Sequence, residues 1–124
     1  MRVLVVDAAN VVGSRPDGWW RDRPGAARRL ADRLAAADLG YDEVVLVLEG
    51  AARRGVDSGR TGSLVVEHAP GSGDDAIVES ARSRVDGGAE VTAVTADRGL
   101  RARLHDVDVR VVGPSWLHDR TDAG

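Results

Sequence analysis

Five short apolar runs alternate along the chain with longer segments in which apolar residues recur at helical spacing. The runs cover residues 2–6, 44–48, 64–66, 91–95 and 109–112. Runs of β-branched and aliphatic residues are typical of strands buried on both faces, as in a parallel sheet covered by helices. The pattern therefore predicts a three-layer, Rossmannoid α/β domain with a five-stranded, mostly parallel sheet. Right-handed crossovers favour the strand order 3-2-1-4-5.

Three helices are predicted between these strands. The first covers residues 24 to about 40, because a proline suits the first helical position. The second runs from 74–75 to the glycine pair at 87–88, and the third from 97 or 98 to about 105. Residues 49–63 contain four glycines and an excess of arginine, which predicts a mobile basic loop.

Length and composition limit the class of protein. The 124 residues suit one domain, which we assign to residues 1–117 and follow with a polar C-terminal tail at 118–124. The chain has no cysteine, which excludes disulfides, thiolate metal sites and cysteine nucleophiles. Its net charge of −3 means that contact with nucleic acid needs a local basic patch. No membrane span or secretion signal is visible, so we expect a cytoplasmic protein without a membrane partner.

Acidic residues follow the predicted strands where their carboxyl ends meet one edge of the sheet. They are Asp7 after strand 1, Glu49 after strand 2, Asp74 and Asp75 before the helix that leads to strand 4, and Asp97 after strand 4. Singly, each is explained as a helix cap or a solvated acid. Together they would repel and raise one another's pKa unless a cation neutralised them. An all-oxygen set of this kind suits Mg²⁺ or Mn²⁺, ions that support phosphodiester hydrolysis.

Asn10 is the chain's only asparagine and stands three residues after Asp7. An acid and an amide at the end of a buried strand indicate a ligand site, because parallel sheets bind ligands at this edge. The alternative is that Asp7 caps a turn while Asn10 supplies a left-handed backbone conformation. The residues alone leave both interpretations open.

Four short segments together resemble the NYN branch of the PIN-like ribonuclease superfamily, particularly its compact bacterial members. They are residues 5–13 (VVDAANVVG), 45–50 (VLVLEG), 73–79 (GDDAIVE) and 94–98 (VTADR). The resemblance spans nearly the whole chain and implies a PIN-like fold. It implies that Asp7 and Asp97 are metal ligands and that Asn10 orients a ligand, water or phosphate. It also implies that either Asp74 or Asp75 is the acid at the helix start.

The leading expectation is a metal-dependent nuclease that hydrolyses RNA, single-stranded RNA in particular, with Mg²⁺ or Mn²⁺ as cofactor. Glu49 is a further metal candidate, although it departs from the aspartate that relatives often carry after the second strand. One alternative is a metal-dependent nucleotide phosphohydrolase, and another is an RNA-binding or complex-forming module without catalysis. A homo-oligomer is left open.

Arginine and tryptophan side chains are the candidates for contacts with nucleic acid. Residues 13–23 hold two of the three tryptophans among arginines, which predicts a lip that stacks bases and binds phosphates. The alternative is that one tryptophan packs against the sheet or first helix. The substrate-binding candidates are Arg15, Trp19, Trp20, Arg21, Arg23, Arg53, Arg54 and Arg98.

Overall fold

The computed structural model describes residues 1–122, which form a Rossmann-like α/β arrangement around a six-stranded sheet. The strands are β1 (Arg2–Asp7), β2 (Glu43–Leu48), β3 (Gly59–Thr61), β4 (Leu64–His68), β5 (Glu90–Val94) and β6 (Arg110–Val112). Their order is β3-β4-β2-β1-β5-β6. All neighbouring pairs are parallel except β3 and β4, which are antiparallel.

The predicted five-strand order is wrong because a sixth strand lies at one edge of the sheet. This strand, β3, has only three residues, all exposed, so no apolar run marks it in the sequence. Arg60 lies opposite Val65 in its antiparallel pairing with β4. The prediction that the first strand lies beside the strand before Asp97 is confirmed, since β1 pairs with β5 and places Val6 opposite Val94.

Within residues 1–122, five α-helices and two 3₁₀ turns connect the strands. They are α1 (Ala8–Gly13), the turn Trp19–Arg21, α2 (Arg23–Ala36), the turn Gly50–Gly55, α3 (Gly73–Asp86), α4 (Arg98–His105) and α5 (Pro114–Thr121). The three predicted helices are confirmed as α2, α3 and α4, although α2 ends before Gly40. The helices α1 and α5 were not predicted. The six residues of α1 are too few to show helical periodicity, and α5 overlaps the segment assigned to the C-terminal tail. No helix in the described part of the chain is long and apolar enough to cross a membrane.

Two segments predicted to lack regular structure have it. The segment 49–63 contains the turn Gly50–Gly55 and β3 instead of an irregular loop. The predicted tail from residue 118 begins too early, because α5 continues to Thr121 and buries His118, which is 8% exposed. The last two residues of that predicted tail, 123 and 124, lie outside the described residues.

Side chains that alternate along the central strands divide the interior into two cores. Leu4 packs in one core with Leu30 of α2, while Val5 packs in the other with Ile77 of α3 and Leu100 of α4. The helices therefore cover both faces of the sheet, as the three-layer prediction requires. The edge where the parallel strands end, and where α1, α3 and α4 begin, is not covered by these helices.

Gly55 is expected to be essential where the turn Gly50–Gly55 meets α2. A Cβ atom at this position would overlap the carbonyl oxygen of Pro24, a backbone atom that cannot move without shifting the start of α2. We expect Gly55→Ala to lower the free energy of unfolding by about 1–3 kcal/mol in chemical denaturation. Gly113→Ala is the control, since a Cβ there has no atom within 4 Å. Equal stability of the two variants would contradict the close approach.

Candidate functional site at the acidic edge of the sheet

The carboxylate of Asp7 lies at the centre of the acidic edge, where β1 ends between β2 and β5. The residue is only 6% exposed. One carboxylate oxygen accepts a hydrogen bond from the backbone N–H of Asn10 at 3.3 Å, so Asp7 caps α1. The other accepts a hydrogen bond from the hydroxyl of Thr95 at 2.9 Å. Both oxygens are therefore held in place within the protein.

Thr95 joins Asp7 to the next acid along the edge. The residue is fully buried, and its Oγ1 also accepts a hydrogen bond from the backbone N–H of Asp97 at 3.2 Å. Asp97 in turn caps α4 by accepting a hydrogen bond from the N–H of Leu100 at 2.8 Å. Sequence reasoning missed Thr95. The available signal was a hydroxyl residue at the end of an apolar strand, two residues before an acid.

Asn10 connects α1 to the turn between β5 and α4. Its side-chain oxygen accepts a hydrogen bond from the N–H of Ala96 at 2.8 Å. Its backbone is helical, so the left-handed alternative is wrong, whereas the alternative that Asp7 caps a turn is confirmed. The Ala96 contact uses the carbonyl of the amide and leaves its NH₂ group as the donor. That Asn10 orients a ligand stays a prediction.

Glu49 and Asp74 approach the same edge from β2 and α3. Glu49 Oε2 accepts a hydrogen bond from the N–H of Gly73 at 3.0 Å. A Cβ atom at Gly73 would lie 2.7 Å from that carboxylate, so this close approach requires glycine. Burial raises the pKa of Asp74, and the negative charges of Asp97 and Glu49 raise it further.

Asp75 has a different environment from Asp74. Its carboxylate pairs with Arg103 of α4 at 2.9 Å, and its side chain is 73% exposed. Ser72, and not an aspartate, caps α3 by accepting a hydrogen bond from the N–H of Asp75. Arg103 was not among the predicted site residues, because its partner lies on another helix. The coupling of Asp74 to its acidic neighbours favours Asp74 over Asp75 as a member of the site.

The acids of the edge also change the ionisation of Asp7. Burial raises the pKa of the Asp7 carboxyl most strongly. Hydrogen bonds from Thr95 and from the N–H of Asn10 oppose this rise. The charges of Asp74 and Glu49 add to it. The net direction is upward, which means that the fold holds an anion at Asp7 at a cost in stability.

The acidic edge supplies oxygen donors for a cation but not a complete coordination sphere. Within residues 1–122, no three histidine, cysteine or acidic side chains are grouped so that they could hold an ion as they stand. That Asp7, Asp97 and a helix-start acid share one ion therefore stays a prediction. The donor chemistry nevertheless fits a hard divalent ion, because the available atoms are carboxylate oxygens whose mutual repulsion a cation would relieve.

Four of the eight substrate-binding candidates cluster near the start of α2. Trp19 and Arg23 line a cavity of about 460 Å³ beside the acidic edge, with the Arg23 guanidinium 5.2 Å from the Trp19 ring centroid. Trp20 is 51% exposed and meets Trp19 edge to face at 5.9 Å. Arg21 lies 5.9 Å from the Trp20 ring centroid. Trp19 is half-buried and Trp20 is exposed, so neither belongs to the core, and the alternative that one of them packs against the sheet or first helix stays a prediction.

The other four candidates differ in how they are held. Arg15 forms an ion pair with Asp122 and does not line the cavity. Arg53 donates hydrogen bonds to the carbonyls of residues 50 and 69, at 3.1 and 3.2 Å, and so fastens the turn Gly50–Gly55. Arg54 and Arg98 are exposed, and Arg98 directly follows Asp97.

Comparison with known proteins supports the fold. No protein-family model matches the chain, and no curated protein matches it in sequence. Among solved structures, the chain is similar to a crystal structure of a mutant of Rae1 (YacP) from Bacillus subtilis, with a TM-score of 0.76. The two chains are 16% identical, and the match covers 98% of this chain and 76% of the other. At this level of identity the likeness shows the fold alone.

Asp7→Asn is expected to unfold no more easily than the wild type at about pH 7. The pKa of Asp7 in the folded protein is raised above the ordinary value of 3.8. The Asp7 carboxyl therefore adds to the free energy of unfolding below pH 3.8. This contribution is lost as the pH rises through the folded-state pKa. An asparagine avoids this loss, and its amide can donate to Thr95 Oγ1. The advantage of the variant should shrink as the pH is lowered toward about 4.

Chemical denaturation across this pH range measures the effect. Asp75→Asn, which neutralises an exposed acid of the neighbouring helix turn, should keep the pH dependence of the wild type. An Asp7→Asn variant that is clearly less stable at about pH 7, with an unchanged pH profile, would contradict the raised pKa.

Proposed function

We propose that the protein is a metal-dependent nuclease that hydrolyses RNA phosphodiester bonds at the acidic edge. The resemblance of four segments to NYN proteins supports this activity. The observation that carries the proposal is the buried Asp7 carboxylate, fixed by Thr95 at the end of the central strand. Asp74, Asp97 and Glu49 lie around it on neighbouring elements, and the charges of Asp74 and Glu49 act on its ionisation.

Asp7, Asp74 and Asp97 are the residues that would hold Mg²⁺ or Mn²⁺, with Glu49 as a fourth acid beside them. A bound ion of this class activates a water for attack on phosphorus and stabilises charge on the leaving oxygen. Burial and neighbouring acids raise the pKa values of Asp7 and Asp74, so a bound cation would favour their ionised forms and relieve the repulsion between the acids.

Polar neighbours of these acids have positioning roles in the proposed reaction. The Thr95 hydroxyl fixes the orientation of the Asp7 carboxylate, as the partners of metal ligands commonly do. The amide of Asn10 is held by Ala96 and retains its NH₂ group as a donor for a phosphate oxygen or water. These contacts join the end of β1 and the start of α1 to the turn between β5 and α4, which fixes the segments that carry Asp7 and Asp97.

Exposed arginines at the same edge would contact the RNA backbone. Arg98 follows Asp97 at the start of α4, and Arg54 projects from the turn after β2. Both are exposed, whereas Arg53 is engaged in fastening its own turn. A few local arginines suit a protein of net charge −3, because phosphate contacts need only a local positive potential.

Incubation of the protein with labelled single-stranded RNA, with and without Mn²⁺, tests the proposal. We expect cleavage that requires the ion and falls by about 100-fold or more in Asp7→Asn and Asp74→Asn, because each loses a metal ligand. Asp106→Asn is the matched control, since Asp106 caps the opposite end of α4. It should cleave like the wild type.

Other outcomes of the same assay would replace the proposal. Hydrolysis of nucleoside triphosphates with intact RNA would make the protein a nucleotide phosphohydrolase. Binding of RNA without turnover, equal in the wild type and in Asp7→Asn, would make it a non-catalytic RNA-binding module.

A further inference from the structure

The cavity beside the acidic edge has the dimensions and lining of a small-molecule site. Its volume is about 460 Å³, within the range of such sites. It lies between α1, the turn Trp19–Arg21, α2 and the turn Gly50–Gly55. Small apolar side chains such as Ala9 and Val12 form much of its wall, and its charged lining residues are Arg23 and Glu49. A flat, mostly apolar ligand with a few polar atoms suits this lining.

Trp19 is half-buried in the wall of the cavity. Its ring lies beside the end of α1, since a Cβ atom built on Gly13 would lie 3.8 Å from the ring. The Arg23 guanidinium lies 5.2 Å from its ring centroid, and Trp20 meets it edge to face. A tryptophan fixed in this way is a ready surface for stacking, because little side-chain freedom is lost when a ligand binds.

Glu49 is shared between the cavity and the acidic edge. It lines the cavity, while its charge acts on Asp7 and Asp74. One of its oxygens accepts the hydrogen bond from Gly73, which leaves the other as an acceptor. A ligand in the cavity would therefore lie next to the phosphodiester bound at the edge.

We propose that this cavity, the base pocket, holds one nucleobase of the RNA beside the bond that is cleaved. The inference rests on the proposed function and adds a subsite to it. Trp19 stacks on the base. The Arg23 guanidinium, which lies over the Trp19 ring, makes that part of the cavity wall positively charged. The free oxygen of Glu49 accepts a hydrogen bond from an exocyclic amino group, which favours adenine, guanine or cytosine over uracil.

Calorimetric titration with AMP, UMP and ribose 5-phosphate, in the absence of divalent metal, tests the base pocket. We expect AMP to bind more tightly than UMP, and about tenfold or more tightly than ribose 5-phosphate, which lacks a base. Trp19→Ala should weaken AMP binding by about tenfold or more, because the stacking surface is lost.

A second variant tests the base pocket if Trp19→Ala does not fold. Ala9→Leu adds bulk to the cavity wall at an exposed residue of α1, and should weaken AMP binding to a similar degree. Ala36→Leu makes the same change at an exposed residue at the far end of α2 and should bind AMP like the wild type. Thermal melting of each variant verifies that it is folded.

Equal affinity for AMP and ribose 5-phosphate would contradict the base pocket. Wild-type affinity for AMP in both Trp19→Ala and Ala9→Leu would contradict it as well. Equal affinity for AMP and UMP would remove the role given to Glu49. Failure of the proposed function is distinguishable, because AMP binding is measured without divalent metal and does not require cleavage. AMP binding that depends on Trp19, together with no RNA cleavage, would support the base pocket and contradict the proposed nuclease activity.

Discussion

The hydrogen bond from Thr95 to Asp7 holds together the centre of the acidic edge. The same hydroxyl accepts a hydrogen bond from the N–H of Asp97, so one buried oxygen contacts both the acid that ends β1 and the acid that caps α4. Burial disfavours the ionised form of Asp7, and the Thr95 and Asn10 hydrogen bonds offset part of that penalty. A carboxylate kept buried and oriented in this way has a small stability cost that an arriving cation would remove.

The three-layer fold explains why these acids meet although they are distant in sequence. The parallel pairing of β1 with β2 and β5 brings the carboxyl ends of three strands together, and the crossovers start α3 and α4 at the same level. Close packing supports the arrangement in two places. Gly73 allows the Glu49 carboxylate to approach α3, and Gly55 allows its turn to approach α2. The cavity wall and the acidic edge are thus parts of one packed unit.

The sequence predicted the features that depend on local pattern and strand order. Apolar runs located the main strands, and strand ends located Asp7 and Asp97. It did not predict β3, because exposed strand residues carry no apolar signal. Thr95 was missed because its hydrogen bond joins residues 88 positions apart. The choice between Asp74 and Asp75 required side-chain directions, since adjacent residues on a helix face different surroundings.

The carboxylates of the edge are proposed to hold one divalent ion. Anomalous X-ray diffraction from crystals soaked in Mn²⁺ locates the ion directly. We expect a single strong peak within about 2.0–2.3 Å of carboxylate oxygens from Asp7 and at least one of Asp74 and Asp97, after small side-chain rotations. A well-ordered edge without a peak, at a Mn²⁺ concentration that supports RNA cleavage, would contradict the metal site.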